Sequence, residues 1–427
     1  MAAAAPCTEP RARPVPGAPG SGGGVDGIGQ EDPVPGGVGF EGRAPEPGQL
    51  VPATGAWREG DPPGERRFER LGAFRPERGG VIDVTCAYET WGALNAARDN
   101  AVLVAHALTG DSHICGDAGP GHPTAGWWTD LIGPGAPVDT DRYFVLAPNV
   151  LGGCQGTTGP SSLSPRTDAA GRPVPYGARF PYITVRDQVR VEAALADRLG
   201  IGQFALIIGG SMGGMRVLEW GVMYPGRAAR IAPIATTAKS TADQIAWAQA
   251  QLAAIRVDPG FLDGDYYGQP DGRGPHVGLG IARQIAHTTY RSAAELEGRF
   301  GAAAQAGEEP LGGGGRYAVV SYLEHHAAKL ALRFDANSYI TLTEALCSHD
   351  IGRDRGGAAA ALARVTARPL VVAVDSDRLY LPREAAELAA LLPGAGPVRV
   401  VHSDYGHDGF LIEFAQLGPV VKEFLET

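Results

Sequence analysis

The sequence predicts an α/β protein with a mostly parallel central sheet and an inserted block of helices. Three observations support this prediction. β-like and helix-like segments alternate up to about residue 237 and again after residue 365, which is typical of a parallel sheet. Between these stretches the pattern is helical only. Near the middle of the chain, the apolar run 204–208 leads directly into a Gly-Gly-Ser-Met-Gly turn and a helix-like segment.

The beginning of the chain has a different composition from the rest. Residues 1–50 contain nine Pro and twelve Gly, a proportion typical of segments that cannot build a core. We therefore expect a disordered Pro/Gly-rich tail over residues 1–56. The first part of the α/β core should follow over 57–237, a helical lid over 238–365 and the second part of the core over 366–427.

Composition excludes several classes of protein. The net charge of -10 over 427 residues argues against a nucleic-acid-binding surface. No apolar stretch approaches the roughly 20 residues that span a bilayer, and the first residues lack the basic start of a signal peptide. The five cysteines are scattered, without a C-x-x-C pair, so neither a disulfide framework nor a zinc site is indicated. We expect a cytoplasmic protein that binds no metal, nucleic acid or membrane.

The strands and helices are predicted from apolar runs and from helical periodicity. A helix is expected over 186–199, because Val189, Val191, Leu195 and Leu199 can form one apolar face. The expected strands are 81–88, 101–105, 143–147, 204–208, 230–234, 369–374 and 398–401. The helices expected in the inserted block are 242–255, 278–291, 293–300, 317–331 and 338–347.

Ser211 is the candidate nucleophile. A G-x-S-x-G turn between a strand and a helix is the nucleophile elbow of α/β-hydrolase-type enzymes, in which the glycines permit a strained turn that exposes the serine hydroxyl. Glycine is common in this chain, with 62 residues, so the motif alone is weak evidence. Its position between a β-like run and a helix makes the pattern specific. The fold class predicted is therefore the α/β-hydrolase fold.

A serine nucleophile needs a histidine base and a carboxylate that orients this base. In this fold they follow the serine in the order Asp or Glu, then His, at the ends of later strands. The run 370–374 leads into Asp375 and Asp377, and the strand 398–401 leads into His407. His407 is the expected base, and we expect His402 to be a packed side chain. Spacing cannot choose between Asp375 and Asp377, because both follow the same strand.

An oxyanion hole needs two backbone N–H groups. One is expected from Met212, directly after the serine, and the other from the loop 106–110, which follows the strand 101–105. His106 has no partner that the sequence identifies. We expect it to be hydrogen-bonded within its own loop.

Taken together, these segments resemble the homoserine O-acetyltransferase family of α/β-hydrolase-fold acyltransferases. The likeness runs in order from about residue 60 to the C-terminus, and this order is far more specific than any single motif. The matching stretches are 106–113 (HALTGDSH), 149–160 (NVLGGCQGTTGP), 209–214 (GGSMGG), 242–245 (ADQI), 264–268 (GDYYG), 316–319 (RYAV), 348–353 (SHDIGR), 376–380 (SDRLY) and 405–410 (YGHDGF).

The resemblance implies roles for further residues. It selects Asp377 over Asp375 as the acid. It also implies that Arg283 binds the carboxylate of an amino-acid acceptor and that Tyr290 and Asp408 line the same pocket. An arginine fork suits a carboxylate, and a carboxylate beside the base could hold an α-ammonium group.

The implied reaction has two steps. His407 takes the proton of Ser211, which attacks the thioester of acetyl-CoA while the N–H groups of Met212 and Leu108 hold the oxyanion. The hydroxyl of L-homoserine then takes the acetyl group. Acetyl-CoA is a co-substrate, no bound cofactor is expected, and we expect a homodimer formed through the helical lid. Succinyl-CoA as donor, serine as acceptor, and plain ester or thioester hydrolysis remain open.

Overall fold

The structure, a computed structural model, describes residues 49–427; the expected tail up to residue 48 lies outside the described residues. The strands of the described part are β1 (Arg67–Phe74), β2 (Ile82–Trp91), β3 (Ala101–Ala105), β4 (Ile132–Gly133), β5 (Val138–Asp139), β6 (Phe144–Pro148), β7 (Leu163–Thr167), β8 (Pro173–Pro175), β9 (Leu206–Gly210), β10 (Arg230–Ile234), β11 (Arg368–Pro369), β12 (Val372–Val374) and β13 (Arg399–Val401).

The α-helices are α1 (Val185–Arg198), α2 (Met212–Met223), α3 (Ala242–Arg256), α4 (His276–Tyr290), α5 (Ala293–Phe300), α6 (Ala318–Arg333), α7 (Ala336–Cys347), α8 (Ala358–Leu362), α9 (Pro382–Leu391) and α10 (Phe414–Glu426). Short 3₁₀ helices cover Gly177–Arg179, Pro259–Gly264 and Gly406–Leu411. No helix in this described part is long and apolar enough to cross a membrane.

A nine-stranded mixed sheet forms the centre of the fold. Its order is β1-β2-β6-β3-β9-β10-β12-β13, with β11 beside β10. The pairings β1–β2 and β2–β6 are antiparallel, and the remaining pairings are parallel. The carboxyl ends of the parallel strands therefore meet at one edge of the sheet, where α/β proteins place their sites.

Both faces of the sheet are covered. On the central strand β9, Ile207 belongs to one buried apolar cluster, whereas Leu206 and Ile208 belong to another, because successive side chains of a strand point to opposite faces. Helices α1 and α2 contribute to the first cluster and α10 to the second. This two-sided burial explains why β9 is apolar at each of its first three positions.

Helices α3 to α8 lie between β10 and β11 in the chain, within the block expected from the sequence, and we call them the lid. Helix α3 begins with a capping box, in which Thr241 and Gln244 satisfy each other's backbone N–H groups. Helix α4 packs against α3 and α6 and also against the 3₁₀ helix Gly406–Leu411. This last contact brings the lid against a segment that follows the last strand of the sheet.

Most expected strands lie within three residues of their predicted bounds, but one is divided, and the strands β1, β4, β5, β7 and β8 were not predicted. The expected strand 369–374 is divided into β11 and β12. The sequence analysis missed β1, an edge strand that carries arginines and glutamate, and whose register shifts between Arg70 and Gly72. A bulged strand at an edge lacks the regular alternation on which a sequence prediction depends.

The packed chain begins earlier than the expected boundary at residue 57. Ala53 and Ala56 are buried, the Thr54 hydroxyl donates to Asp335 Oδ1 at 2.8 Å, and the Gly55 N–H donates to the Phe334 carbonyl at 3.1 Å. Residues 51–56 therefore connect the start of the core to the junction between α6 and α7. The expected tail was too long by these residues.

Two truncations should separate the tail from this connection. We expect removal of residues 1–48 to leave the melting temperature nearly unchanged, because a Pro/Gly-rich segment has little apolar surface to bury. Removal of residues 1–56 should lower the free energy of unfolding by roughly 2–4 kcal/mol, since buried alanines and hydrogen bonds are lost as well. Calorimetry of both truncated proteins checks this. Equal melting temperatures would show that residues 51–56 contribute nothing to stability.

Candidate active site

Ser211 lies in a tight turn between β9 and α2, with φ 57° and ψ -125°. This positive φ is uncommon for a residue with a side chain and is typical of strained functional turns. The flanking glycines are needed for close packing, since a Cβ on Gly213 would lie 2.0 Å from the Ala105 carbonyl oxygen and one on Gly209 2.6 Å from it. The Ser211 N–H donates to the Ile234 carbonyl at 3.0 Å. The turn is therefore held by both neighbouring strands, β3 and β10.

Asp377 and His407 meet at the ends of β12 and β13. His407 Nδ1 lies 2.6 Å from Asp377 Oδ2, and the two side chains are 4% and 0% exposed. The other carboxylate oxygen accepts the N–H groups of Leu379 and Tyr380, each at 2.8 Å. These bonds fix the orientation of the carboxylate, which in turn fixes the histidine ring with Nε2 free to act on a serine proton.

Asp375 lies in a different environment from Asp377. It accepts from the Ser403 N–H at 3.0 Å and lies 2.8 Å from His402 Nδ1, and its side chain is 41% exposed. His402 is 77% exposed, so the expectation of a packed His402 was wrong. Asp375, the alternative that spacing left open, therefore belongs to an exposed pair with His402. Asp377 instead contacts the buried His407.

The pKa of His407 is raised above its usual value. Burial lowers it, because desolvation disfavours the charged ring, but the adjacent Asp377 carboxylate outweighs burial, and Asp408 adds to its effect. A histidine of raised pKa is a stronger base. It can hold the proton that it takes from Ser211 until the leaving group needs it.

One pocket joins the serine, the histidine and the residues expected to bind the acceptor. Its lining includes Leu108, Ser211, Arg283, Tyr290, His407 and Asp408. Arg283 and Tyr290 lie on α4, two helical turns apart, with the guanidinium carbon 5.7 Å from the centre of the Tyr290 ring. The Tyr290 ring is 5.9 Å from the His407 ring. The lid therefore supplies one wall of the pocket, and the sheet supplies the other.

Polar contacts hold the charged residues of this pocket. Arg283 Nη1 donates to the Thr109 hydroxyl at 3.4 Å, and Asp408 Oδ2 lies 3.2 Å from Nε of Arg291. The sequence analysis did not identify Arg291. Its position directly after Tyr290 carries no signal of a contact with Asp408, because the two residues lie on different elements.

The two expected oxyanion donors are placed beside the serine. Met212 is the first residue of α2, where a backbone N–H has no carbonyl partner within the helix. Leu108 lies in a turn closed by the bond from the Gly110 N–H to the Ala107 carbonyl at 3.0 Å. The neighbouring Thr109 carbonyl accepts from Arg333 Nη1 at 2.8 Å. These contacts make the loop rigid, as an oxyanion hole requires.

His106 has a structural role in the same loop. Its Nδ1 lies 2.8 Å from the Ala107 carbonyl oxygen, and its Nε2 accepts the Val150 N–H at 3.1 Å. Burial, aided by Arg216, lowers its pKa to about 3, so the ring is neutral. The expected bond within its own loop is present, and a second bond ties the loop to the chain after β6.

Within residues 49–427, Glu89, His113 and His122 form a buried group whose composition could suit a metal ion. Several of their polar atoms already have hydrogen-bond partners. The Glu65 N–H donates to His122 Nε2 at 3.1 Å. His113 lies 3.0 Å from Glu89 Oε2 through Nδ1 and 3.2 Å from the Asp117 carbonyl through Nε2. Both nitrogens of His113 thus face acceptors, as in an imidazolium, and the arrangement is a hydrogen-bonded network rather than a set of open ligands.

Comparison with known proteins agrees with this geometry. A sequence model of the alpha/beta hydrolase fold matches residues 100–414. A homoserine O-acetyltransferase of Thermobifida fusca is 59% identical over 377 residues, which cover 88% of this chain and 97% of the relative. The crystal structure of a homoserine O-acetyltransferase from Bacillus anthracis superposes with a TM-score of 0.76 at 28% identity, covering 85% of this chain and 97% of the other.

The structure of esterase E22 superposes equally well, with a TM-score of 0.76 at 27% identity, covering 84% of this chain and 99% of the other. The backbone alone therefore does not separate transferases from esterases. The relatives of higher sequence identity are homoserine O-acetyltransferases. The fold and the family predicted from the motifs are therefore confirmed. The chain belongs to the homoserine O-acetyltransferase family of the α/β-hydrolase fold.

Proposed function

We propose that this protein transfers the acetyl group of acetyl-CoA to the side-chain hydroxyl of L-homoserine through an acetyl-Ser211 intermediate. The observation that carries the proposal is the composition of one pocket, in which a serine and a buried histidine–aspartate pair share the walls with Arg283 and Asp408. A hydrolase of simple esters has no use for both charges. A free amino acid, with one carboxylate and one ammonium group, matches them.

In the first half-reaction, His407 takes the proton of Ser211 Oγ and a bond forms between Oγ and the acetyl carbon. The N–H groups of Met212 and Leu108 stabilise the oxyanion. The carbon–sulfur bond then breaks, and the thiolate of CoA leaves with the proton from His407. Asp377 keeps the ring oriented and stabilises its charged form throughout.

In the second half-reaction, the homoserine hydroxyl loses its proton to the same His407 and attacks the acetyl carbon. The bond between the acetyl carbon and Ser211 Oγ then breaks, and Oγ regains the proton from His407. Arg283 holds the carboxylate of the acceptor. Asp408 holds the ammonium while it keeps its contact with Arg291, because a carboxylate has enough lone pairs for two partners. Ser211 and His407 are only 6% and 3% exposed, which limits the access of competing water.

Thiol release with matched donors and acceptors tests the proposal. Acetyl-CoA and succinyl-CoA are each mixed with homoserine, serine or no acceptor, and free CoA is followed with a thiol-reactive dye. We expect sustained release only with acetyl-CoA and homoserine, with O-acetylhomoserine as the product by mass spectrometry. Equal rates with and without an acceptor would instead indicate a thioesterase. A preference for succinyl-CoA would show that the proposed donor is wrong, and a preference for serine would show that the proposed acceptor is wrong.

Arg283 should act in acceptor recognition and not in acylation. The Arg283→Ala variant should form acetyl-enzyme normally but show a KM for homoserine raised by at least roughly 30-fold, since the loss of a charge-assisted contact costs about 2 kcal/mol or more. Steady-state kinetics with varied homoserine measure this. Arg299→Ala, on the lid helix α5, is the matched control. Unchanged homoserine kinetics in Arg283→Ala would remove this residue from the site.

We further propose a cytoplasmic enzyme without a bound cofactor that forms a homodimer through the lid. The lid exposes large apolar side chains, among them Val257, Val277 and Leu311, which are 77%, 71% and 79% exposed. Burial of such side chains in a subunit contact would be favourable. Light scattering of the purified protein tests the dimer, and a monomer at micromolar concentration would contradict it.

A further inference from the structure

Thr109 lies where the loop after β3 meets the lid. It lines the same pocket as Ser211 and Arg283, and it is 6% exposed. Its hydroxyl oxygen accepts a hydrogen bond from Arg283 Nη1 at 3.4 Å. The loop that carries Leu108 therefore contacts, through this hydroxyl, the arginine that is proposed to bind the acceptor carboxylate.

The position of this hydroxyl is fixed by the main chain around it. The Thr109 carbonyl accepts from Arg333 Nη1 at 2.8 Å, and the Gly110 N–H donates to the Ala107 carbonyl at 3.0 Å. A threonine side chain is branched at Cβ, so few rotations about its first side-chain bond are allowed. The hydroxyl is therefore held at one place in the pocket wall before an acceptor binds.

The Thr109 hydroxyl also keeps a proton that it can donate. A hydroxyl accepts hydrogen bonds through its lone pairs and donates one proton at the same time. The bond from Arg283 uses a lone pair and leaves this proton. Among residues 49–427, no group of the protein accepts it. The proton is therefore available to a molecule bound in the pocket.

We propose that the Thr109 hydroxyl donates a hydrogen bond to the carboxylate of the acceptor and so forms a second contact beside Arg283. This inference rests on the proposed function and deepens it, since it assigns a further residue to acceptor binding. A carboxylate has two oxygens, each able to accept more than one hydrogen bond, and a guanidinium has five N–H groups. One carboxylate can therefore contact both residues while Arg283 keeps its bond to Thr109.

This contact should matter only for acceptors that carry a carboxylate. A hydrogen bond to an ionised carboxylate is stronger than one between neutral groups. The bond is absent with aminopropanol, the amino alcohol that remains when homoserine loses its carboxylate. It is also absent in the first half-reaction, because no acceptor is bound while Ser211 attacks the thioester. The Thr109 hydroxyl should therefore affect transfer to homoserine and not acylation.

The Thr109→Val variant tests this role, because it removes the hydroxyl and keeps the shape of the side chain. Acetyl-enzyme is prepared with acetyl-CoA, separated from CoA and mixed with homoserine or aminopropanol, and intact mass follows the loss of the adduct. We expect the second-order rate constant for homoserine to fall by roughly 10- to 100-fold, as for the loss of a hydrogen bond to a charged group. The constant for aminopropanol and the acylation rate should change by less than about 3-fold.

Two further variants serve as controls. Thr109→Ser keeps a hydroxyl, so it should restore transfer to homoserine to within about 3-fold of the wild type. Thr289→Val, on α4, removes another buried threonine hydroxyl, which is bonded to the Ala286 carbonyl at 2.7 Å, and should not change the ratio of the two rate constants. Both constants are measured on molecules that have been acylated, so a partly folded preparation leaves their ratio unaffected.

The outcomes separate this inference from the proposed function. If wild-type protein forms no acetyl adduct on Ser211 or does not transfer it to homoserine, the two-step function fails, and this inference fails with it. If the wild type transfers the group, but Thr109→Val leaves the homoserine constant unchanged, lowers both acceptor constants equally or slows acylation as much, the role of Thr109 is overturned and the function stands. A loss specific to homoserine that Thr109→Ser restores supports the inference.

Discussion

The Ser211→Ala variant should keep its fold and lose acyl transfer by roughly 10⁴-fold or more, as is usual when the nucleophile of a serine triad is removed. The substitution deletes one oxygen at a turn whose backbone is held by neighbouring strands. Alanine can adopt the φ of 57° at about the same cost as serine, because both carry only a Cβ at the point of strain. Thiol release and the melting temperature measure the two effects.

Mass spectrometry of wild-type protein mixed with acetyl-CoA should locate the acetyl group on Ser211. The control is Ser240→Ala, which removes another buried hydroxyl, donating to the Leu346 carbonyl at 2.6 Å, at a distance in sequence from every triad residue. This control should retain transfer activity. An acetyl group found on a cysteine, or activity retained by Ser211→Ala, would contradict the mechanism.

Asp377→Asn should lower kcat by about four orders of magnitude, because an amide can neither fix the productive histidine tautomer nor stabilise the imidazolium. Asp375→Asn is the natural control, since this carboxylate pairs with the exposed His402. It should reduce activity by less than about 3-fold, as expected of a surface ion pair. Comparable losses in the two variants would remove the distinction between the carboxylates.

The pH profile gives a second measurement on the same pair. His407 must be neutral to accept a proton, and its pKa is raised by Asp377 against the effect of burial. Wild-type activity should therefore fall as the pH drops through a value above the ordinary 6.5. Without the charge at position 377 burial dominates, so the acid limb of the residual activity should move to lower pH. A limb that stays in place would show that Asp377 does not set the basicity of His407.

The proposed nucleophile and the proposed base rest on local signals in the sequence. An apolar run, a glycine-rich turn and a helix lie together around Ser211, and His407 follows a strand at the expected point in the chain. A short stretch of sequence is enough to predict such features, because the strand, the turn and the helix are neighbours in the chain.

The choice of acid depended on a turn that no spacing rule predicts. The strand β12 ends at Val374, and the Asp377 N–H then bonds back to the Val374 carbonyl at 3.2 Å. The chain therefore leaves the extended conformation in which Asp375 and Asp377 would face the same way. One carboxylate is directed to solvent and the other to the buried histidine. Only the resemblance to a family had selected Asp377 beforehand.

Contacts between distant elements were the least predictable. The approach of Arg291 to Asp408 joins the end of a lid helix to the 3₁₀ helix after β13, and the bond from Arg333 to the Thr109 carbonyl joins another lid helix to the loop after β3. The local sequence around these residues gives no sign of the contacts. Their roles arise from the packing of the lid on the sheet, which a residue pattern does not encode.

The two charged residues of the proposed acceptor site, Asp408 and Arg283, differ in how far they can be substituted without an effect on catalysis. Asp408 is the neighbour of His407 on the 3₁₀ helix Gly406–Leu411. A substitution of Asp408 therefore affects the base as well as the binding of the ammonium group. Arg283 lies on α4, in a separate part of the chain from the triad. A new acceptor is therefore best sought by varying α4 while the 3₁₀ helix is kept, and a library confined to the lid should change selectivity with the least loss of turnover.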